Sequence, residues 1–79
     1  MSRARDVVEV VARTLADHPA DVKVTETEHR GQLLVELFMA PGDLGRVIGR
    51  QGRTAQAIRA LAGAAAELED RRVTVEFRD

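Results

Sequence analysis

Gly49 and Gly52, with only Arg50 and Gln51 between them, stand between an apolar pair, Val47-Ile48, and a long alanine-rich stretch. No other feature of the chain restricts its fold as much. Glycines at both corners permit positive φ angles and, lacking Cβ, close approach by another backbone. The chain must therefore turn sharply between two helices here. Upstream, Pro41-Gly42 breaks the preceding segment, and Asp43 reads as the N-cap of a short helix from Leu44 to Ile48. Downstream, Arg53 to about Asp70 reads as a long helix, with Ile58, Leu61, Ala65 and Leu68 as its core stripe.

The rest of the chain has to pack around this helical pair. Val7, Val8, Val11 and Leu15 recur at helical spacing, so residues 2–17 read as a helix. It ends at His18-Pro19, because proline pushes the residue before it out of the helical region. β-Branched residues dominate 22–28, which reads as a strand, and His29-Arg30-Gly31 supplies a three-residue turn. In 32–39, Leu33, Val35, Leu37 and Met39 share one face, which leaves Leu34 and Phe38 on the other. Residues 72–78 alternate as well, with Val73, Val75 and Phe77 on one side. The order α-β-β-α-α-β predicts an α+β fold, a three-stranded sheet with three helices on one face. Seventy-nine residues read as one domain, 1–79, short enough to bury only about 60% of its unfolded surface and to gain from a partner.

Composition then excludes several function classes. There is no cysteine, hence no disulfide framework and no thiol chemistry. No apolar run approaches the roughly 20 residues of a membrane span. Asp6 and Glu9 interrupt the first apolar stretch, so it is no signal peptide, and the cytoplasm is the expected location. Catalysis is not expected, since no serine stands beside a histidine and the carboxylates are scattered without an inward pair. His18 and His29 lack a second ligand at metal-site spacing. The glycines form neither a P-loop nor a dinucleotide fingerprint, so no cofactor is expected. With no Trp, no Tyr and two Phe, the chain lacks the aromatics on which an RRM sheet stacks bases.

Charge distribution is more telling than total charge. The chain carries -1, yet residues 44–66 hold Arg46, Arg50, Arg53 and Arg59 and no acid. That segment is +4 and the remainder is -5. A basic patch on an acidic body is what a local anion site requires. The amides that open the long helix, near Arg53 and Thr54, have no intrahelical acceptors and lie at the positive end of its dipole. Arg50 and Arg53 add full charges. Val47, Ile48 and Ile58 are placed to form an apolar floor on which bases rest.

Val47-Ile48-Gly49-Arg50-Gln51-Gly52, between a short helix and a long one, resembles the signature of KH domains. In that family the Gly-x-x-Gly loop clamps about four backbone nucleotides. The element order resembles the type II arrangement, and the whole chain resembles small bacterial single-domain KH proteins. The resemblance implies a mixed sheet whose last strand runs parallel to the second. It places Gly49, Arg50, Gln51 and Gly52 at the phosphate grip and Ile48 in the apolar groove. Arg53 falls at the nucleic-acid backbone, Ile58 on the base-facing side, and Arg46 and Val47 flank the loop. The implied ligand is single-stranded RNA, and the implied role is post-transcriptional regulation or RNA chaperoning. A homodimer and a larger KH-domain partner protein are implied as well. Many KH loops carry lysine in the variable pair, whereas Arg50 and Gln51 give this one a single charge.

The alternative is an assembly module whose KH-like fold acts mainly through a protein partner. Small size and leftover apolar surface favour it. Two patches are candidates for contact, Leu34 with Phe38 on the open side of the sheet, and the small residues Ala60, Gly63 and Ala64 on the long helix.

Overall fold

A computed structural model describes residues 1–79 as α1 (Arg3–Leu15), β1 (Lys23–His29), β2 (Gln32–Phe38), α2 (Pro41–Ile48), α3 (Arg53–Glu67) and β3 (Arg72–Arg78). The expected order is therefore the observed one. Short 3-10 turns occupy Pro19–Asp21 and Arg50–Gly52. The sheet order is β1-β2-β3. β1 pairs antiparallel with β2, from Lys23 opposite Phe38 to His29 opposite Gln32. β3 pairs parallel with β2, from Gln32 beside Arg72 to Phe38 beside Arg78. The hairpin turn is one residue tighter than expected. Arg30 (φ 52°) and Gly31 (φ 78°) form it alone, and two successive positive φ angles match the right-handed twist of the flanking strands.

Alternation in β2 places Leu33, Val35 and Leu37 fully in the core, continued by Met39. Val24 and Val75 are buried beside them. Leu34 and Phe38 take the opposite face, half-buried and outside the core cluster. The helices cover only the first of these faces.

Residue size, more than hydrophobicity, organises the helical layer. α1 buries Ala4, Val8 and Ala12, and α3 buries Ala55, Ile58, Ala62, Ala65 and Ala66. The two helices run antiparallel, with the Arg3 amide donating to Glu69 Oε1 at 3.2 Å. Alanine on both sides lets the backbones approach closely, so the small residues take the interior. Two members of the expected α3 stripe are thereby displaced. Leu61 is 53% exposed and Leu68 is 74% exposed, although Ile58 and Ala65 lie in the core as read. On α1 the true stripe is Ala4, Val8 and Ala12, with Val7 and Val11 only packed against its rim.

Arginines from the helices close the sheet's exposed edges. Arg13 Nη2 donates to the Val22 carbonyl at 3.3 Å and Arg5 Nη2 reaches the Val24 carbonyl at 3.5 Å. Glu9, between them on α1, accepts from both guanidinium groups. An unpaired strand edge invites pairing with another chain, and such side chains blunt it. Ser2 starts α1 by accepting the Arg5 amide at 3.0 Å, while its own amide donates to Glu26 Oε1 on β1 at 3.1 Å.

Candidate nucleic-acid interface

α2 begins earlier than its sequence suggests. Pro41 occupies the first turn, where its fixed φ suits a helix start. Ala40 is the N-cap and provides no side-chain hydrogen bond. Asp43 is therefore not the cap that its position suggested. It is 3% exposed, and it caps a different segment. Its Oδ1 accepts the Asp17 amide at 3.2 Å, and its Oδ2 accepts the His18 amide at 2.8 Å, with His18 Nδ1 at 3.3 Å. Burial pushes the Asp43 carboxyl up, but the two amides and the imidazole outweigh it and hold the group below its usual range. Arg46 pairs with Asp17 at 3.0 Å. The exit from α1 is thus tied to α2 at two points, and this fixes where α2 delivers the glycine turn.

The turn itself is sterically specified. The Gly49 amide donates to the Gly45 carbonyl at 3.1 Å and closes α2. Gly49 then adopts φ 77°, ψ 174°, a region open essentially to glycine alone. A Cβ there would lie 2.5 Å from Thr54 Oγ1 and 3.0 Å from Thr54 Cβ. Gln51 (φ 57°) and Gly52 (φ 72°) are left-handed, and the Gly52 amide returns to the Gly49 carbonyl at 3.2 Å. A Cβ at Gly52 would meet nothing within 4 Å, so only its backbone angle favours glycine. No side chain caps α3. The Arg53 amide, expected to be free, returns to the Arg50 carbonyl, and it is the amides after it in the first turn that lie open at the positive end of the dipole.

The four arginines of the basic segment divide into two kinds. Arg46 is held by Asp17. Arg59 turns toward β3, with Nε and Nη2 each donating to the Val75 carbonyl at 3.3 Å. Its Cζ lies 4.8 Å from the centroid of the Phe77 ring. Arg50 and Arg53 are exposed and enter no ion pair or side-chain hydrogen bond. Elsewhere Arg3, Arg5, Arg13, Arg71 and Arg78 meet carboxylates, and Arg30 in the hairpin turn and Arg72 at the start of β3 are exposed without one but lie at no helix start.

The structure gathers Ile48, Gly49, Arg50, Gln51, Gly52 and Arg53 at one surface, as the sequence implied. It removes two residues from that surface. Val47 and Ile58 are fully buried within the main core cluster. Val47 points inward from α2, and Ile58 lies at the middle of α3's buried face, so both support the turn from beneath. Of the expected apolar floor, Ile48 alone keeps accessible surface. Thr54 and Asp43 were missed in these roles, because no sequence spacing signals a contact made only after α2 and α3 fold back. No cluster of His, Asp or Glu suited to a metal forms, and no helix is long and apolar enough to cross a membrane.

Comparison with known proteins agrees with this geometry. A profile of the KH domain of KhpA and KhpB matches residues 5–77. The chain is 45% identical over 75 residues to the RNA-binding protein KhpA of Halalkalibacterium halodurans, covering 95% of this chain and 99% of that one. The KhpA of Caldanaerobacter subterraneus subsp. tengcongensis is 48% identical over 72 residues, covering 91% and 96%. That of Aquifex aeolicus is 41% identical over 77 residues, covering 98% of each chain. Among solved structures, Aquifex aeolicus Era bound to GDP·AlF4⁻ superposes with a TM-score of 0.66 at 22% identity. The match takes in 94% of this chain and 29% of Era. Era in complex with MgGDPNP and nucleotides 1506–1542 of 16S ribosomal RNA gives the same score and identity. At that identity the likeness is one of fold, the type II KH arrangement.

Proposed function

The chain belongs to the KhpA/KhpB family of KH-domain proteins, and from that premise we propose that it is an RNA-binding module, not an enzyme, that grips single-stranded RNA by its backbone at Gly49–Gly52. The observation that carries this reading is the pairing pattern of the arginines. Arg50 and Arg53 are left without acids at the uncapped start of α3, where an incoming phosphate meets two guanidinium groups and outward amides. Ile48 offers an apolar surface beside them for a base. Val47 and Ile58 hold the turn's shape from the core, and Arg46 holds α2 through Asp17. The whole 1–79 segment acts as one such domain. Its cellular role in this reading is post-transcriptional regulation or RNA chaperoning in the cytoplasm.

The test is the double substitution Arg50→Asp and Gln51→Asp, titrated against a short unstructured RNA. The turn goes from +1 to -2 at the phosphate position, and RNA binding is lost. Circular dichroism stays that of the wild type, because exposed substitutions shift stability by only about 0.5 kcal/mol. Equal affinities for the two proteins would reduce the turn to a helix connection.

A second reading, assembly through protein contacts, draws on the half-exposed Leu34 and Phe38 and on the exposed Leu61 and Leu68. In this reading the chain forms a homodimer and joins a larger KhpB-like KH protein. Light scattering at high micromolar concentration tests the homodimer. Phe38→Lys returns a dimer to monomer only where the sheet face is the contact.

A further inference from the structure

α2 is a poor helix by its own sequence. It has eight residues, and Pro41, Gly42 and Gly45 are among them. Glycine and proline are the weakest helix formers, and isolated helices shorter than about 12 residues are marginal in any case. Its N-cap, Ala40, gives no side-chain hydrogen bond. Its rigidity must therefore come from what it packs against. Only Asp43 and Val47 of α2 are buried, one helical turn apart on the same face. Val47 is an apolar anchor in the core cluster, and Leu44 packs only against the rim of that cluster. A single anchor lets a short helix pivot, and a second one fixes its direction.

That second anchor is polar, and its donors come from one short segment at the exit of α1. The Asp17 amide, the His18 amide and the His18 ring nitrogen lie 2.8 to 3.3 Å from the Asp43 carboxylate oxygens. A buried carboxylate held by two backbone amides is a strong contact. The other tie, Arg46 to Asp17, is more than half exposed on both sides and is screened by solvent. The direction of α2 reaches the turn through the backbone. The Gly49 amide donates to the Gly45 carbonyl, and Gly49 packs on Thr54 in the first turn of α3. A tilt of α2 about Val47 moves Gly49 relative to α3, which has its own anchors in Ala55 and Ile58.

We propose that Asp43 is a positioning residue for the RNA grip, which orients α2 so that the Gly49–Gly52 turn and the start of α3 face one phosphate together. This rests on the RNA-binding reading above and reaches the strand through a residue too buried to touch it. The first test is native-state hydrogen exchange on the wild type, which needs neither RNA nor a variant. If release of Asp43 frees the turn, the Gly49 amide opens whenever the His18 amide does, so His18 is protected at least as well as Gly49. A His18 amide less protected than Gly49 overturns the proposal.

The second test compares Asp43→Asn with Leu33→Val by fluorescence anisotropy on an eight-nucleotide uridine RNA. Asparagine keeps the size and one acceptor but turns an amino group toward the other donor amide. Leu33→Val trims the core at the hairpin end of β2, away from α2. Circular dichroism sets a temperature at which both variants are folded. If about one molecule in ten then holds α2 in the competent direction, Asp43→Asn binds about tenfold more weakly. The amide signals of Gly49 to Arg53 shift or broaden in that variant before RNA is added. Leu33→Val keeps the wild-type affinity and turn signals. Wild-type affinity or unmoved turn signals in Asp43→Asn overturn the proposal and leave RNA binding intact, and so does an equal loss in Leu33→Val. An Asp43→Asn protein that does not fold leaves the decision to hydrogen exchange. Wild-type protein that binds no RNA overturns both readings together.

Discussion

Arginines occur at similar density on α1 and at the α2–α3 turn, and the two groups do opposite things. On α1, Arg5 and Arg13 flank Glu9, which bridges them, and their remaining donors cover carbonyls of the β1 edge. Those charges are neutralised where they stand, and they belong to the architecture. At the turn, Arg50 and Arg53 have the same chemistry and no acid in reach. Residues 44–66 contain no Asp or Glu at all. The comparison shows that what sets the turn apart from α1 is missing partners beside an uncapped helix start, since a guanidinium already paired attracts a phosphate weakly. It also shrinks the basic segment. Of four arginines, Arg46 and Arg59 have structural partners, and two are free to neutralise a ligand.

The turn must first exist for this difference to matter, so its largest perturbation is Gly49→Ala. The new Cβ meets Thr54, and the residue leaves a region that only glycine occupies. Strain and overlap together should cost about 3 kcal/mol. That lowers the melting temperature by roughly 15 °C for a domain of this size. Gly52→Ala, with open space around it, should cost only about 1 kcal/mol for its left-handed backbone. Thermal melts of both variants check the contrast, and equal losses contradict it.

A smaller effect comes from giving the turn what α1 has. Gln56 is exposed and one helical turn beyond Arg53, so Gln56→Glu supplies an acid at i+3. RNA affinity should drop by roughly three- to tenfold at low salt, with most of the loss gone at high salt. Salt dependence sharpens the comparison further. Two free arginines imply about two phosphate contacts and a slope of log K against log salt near -1.4, at about -0.7 per contact. Arg53→Gln should reduce the slope to about -0.7, whereas Arg13→Gln should leave it unchanged.

Acid pH gives the smallest effect, and it acts on the α1 region. Hydrogen bonds from Arg5 and then Arg13 hold the Glu9 carboxyl below its ordinary value. A carboxylate whose folded pKa is depressed stabilises the fold above its unfolded pKa and loses that contribution as pH falls through the folded value. Glu9→Gln should therefore melt below the wild type at neutral pH, and the gap should close below about pH 4. RNA affinity should stay flat from about pH 6 to about pH 8 while the fold keeps its stability.

Much of the architecture was legible because strands advertise themselves. In β2 and β3 the alternation of Leu33, Val35 and Leu37, and of Val73, Val75 and Phe77, fixes the buried face before any contact is known. The glycine turn was legible for the same local reason. What escaped depends on distant residues meeting. Leu61 and Leu68 looked like core because leucine is more apolar than alanine. The close approach of α1 and α3 gave the interior instead to Ala62 and Ala66. Asp43 looked like a cap because it follows Pro41-Gly42, yet its partners are the amides of Asp17 and His18. Val47 and Ile58 looked like a binding floor, and the fold uses them as its support. Free and paired arginines are indistinguishable in sequence, since Glu9 lies on the same helix as its partners but Asp17 lies 29 positions from Arg46.

The claim that arginines left unpaired at the start of α3, and not arginines as such, make the site is tested most directly by amide NMR. A short unstructured single-stranded RNA is titrated into labelled protein, and the backbone signals are followed residue by residue. Shifts or broadening should centre on Ile48 to Thr54, and the signals of Arg5, Glu9 and Arg13 should stay in place. Perturbation centred on α1, or none at the turn with RNA bound, would contradict the account.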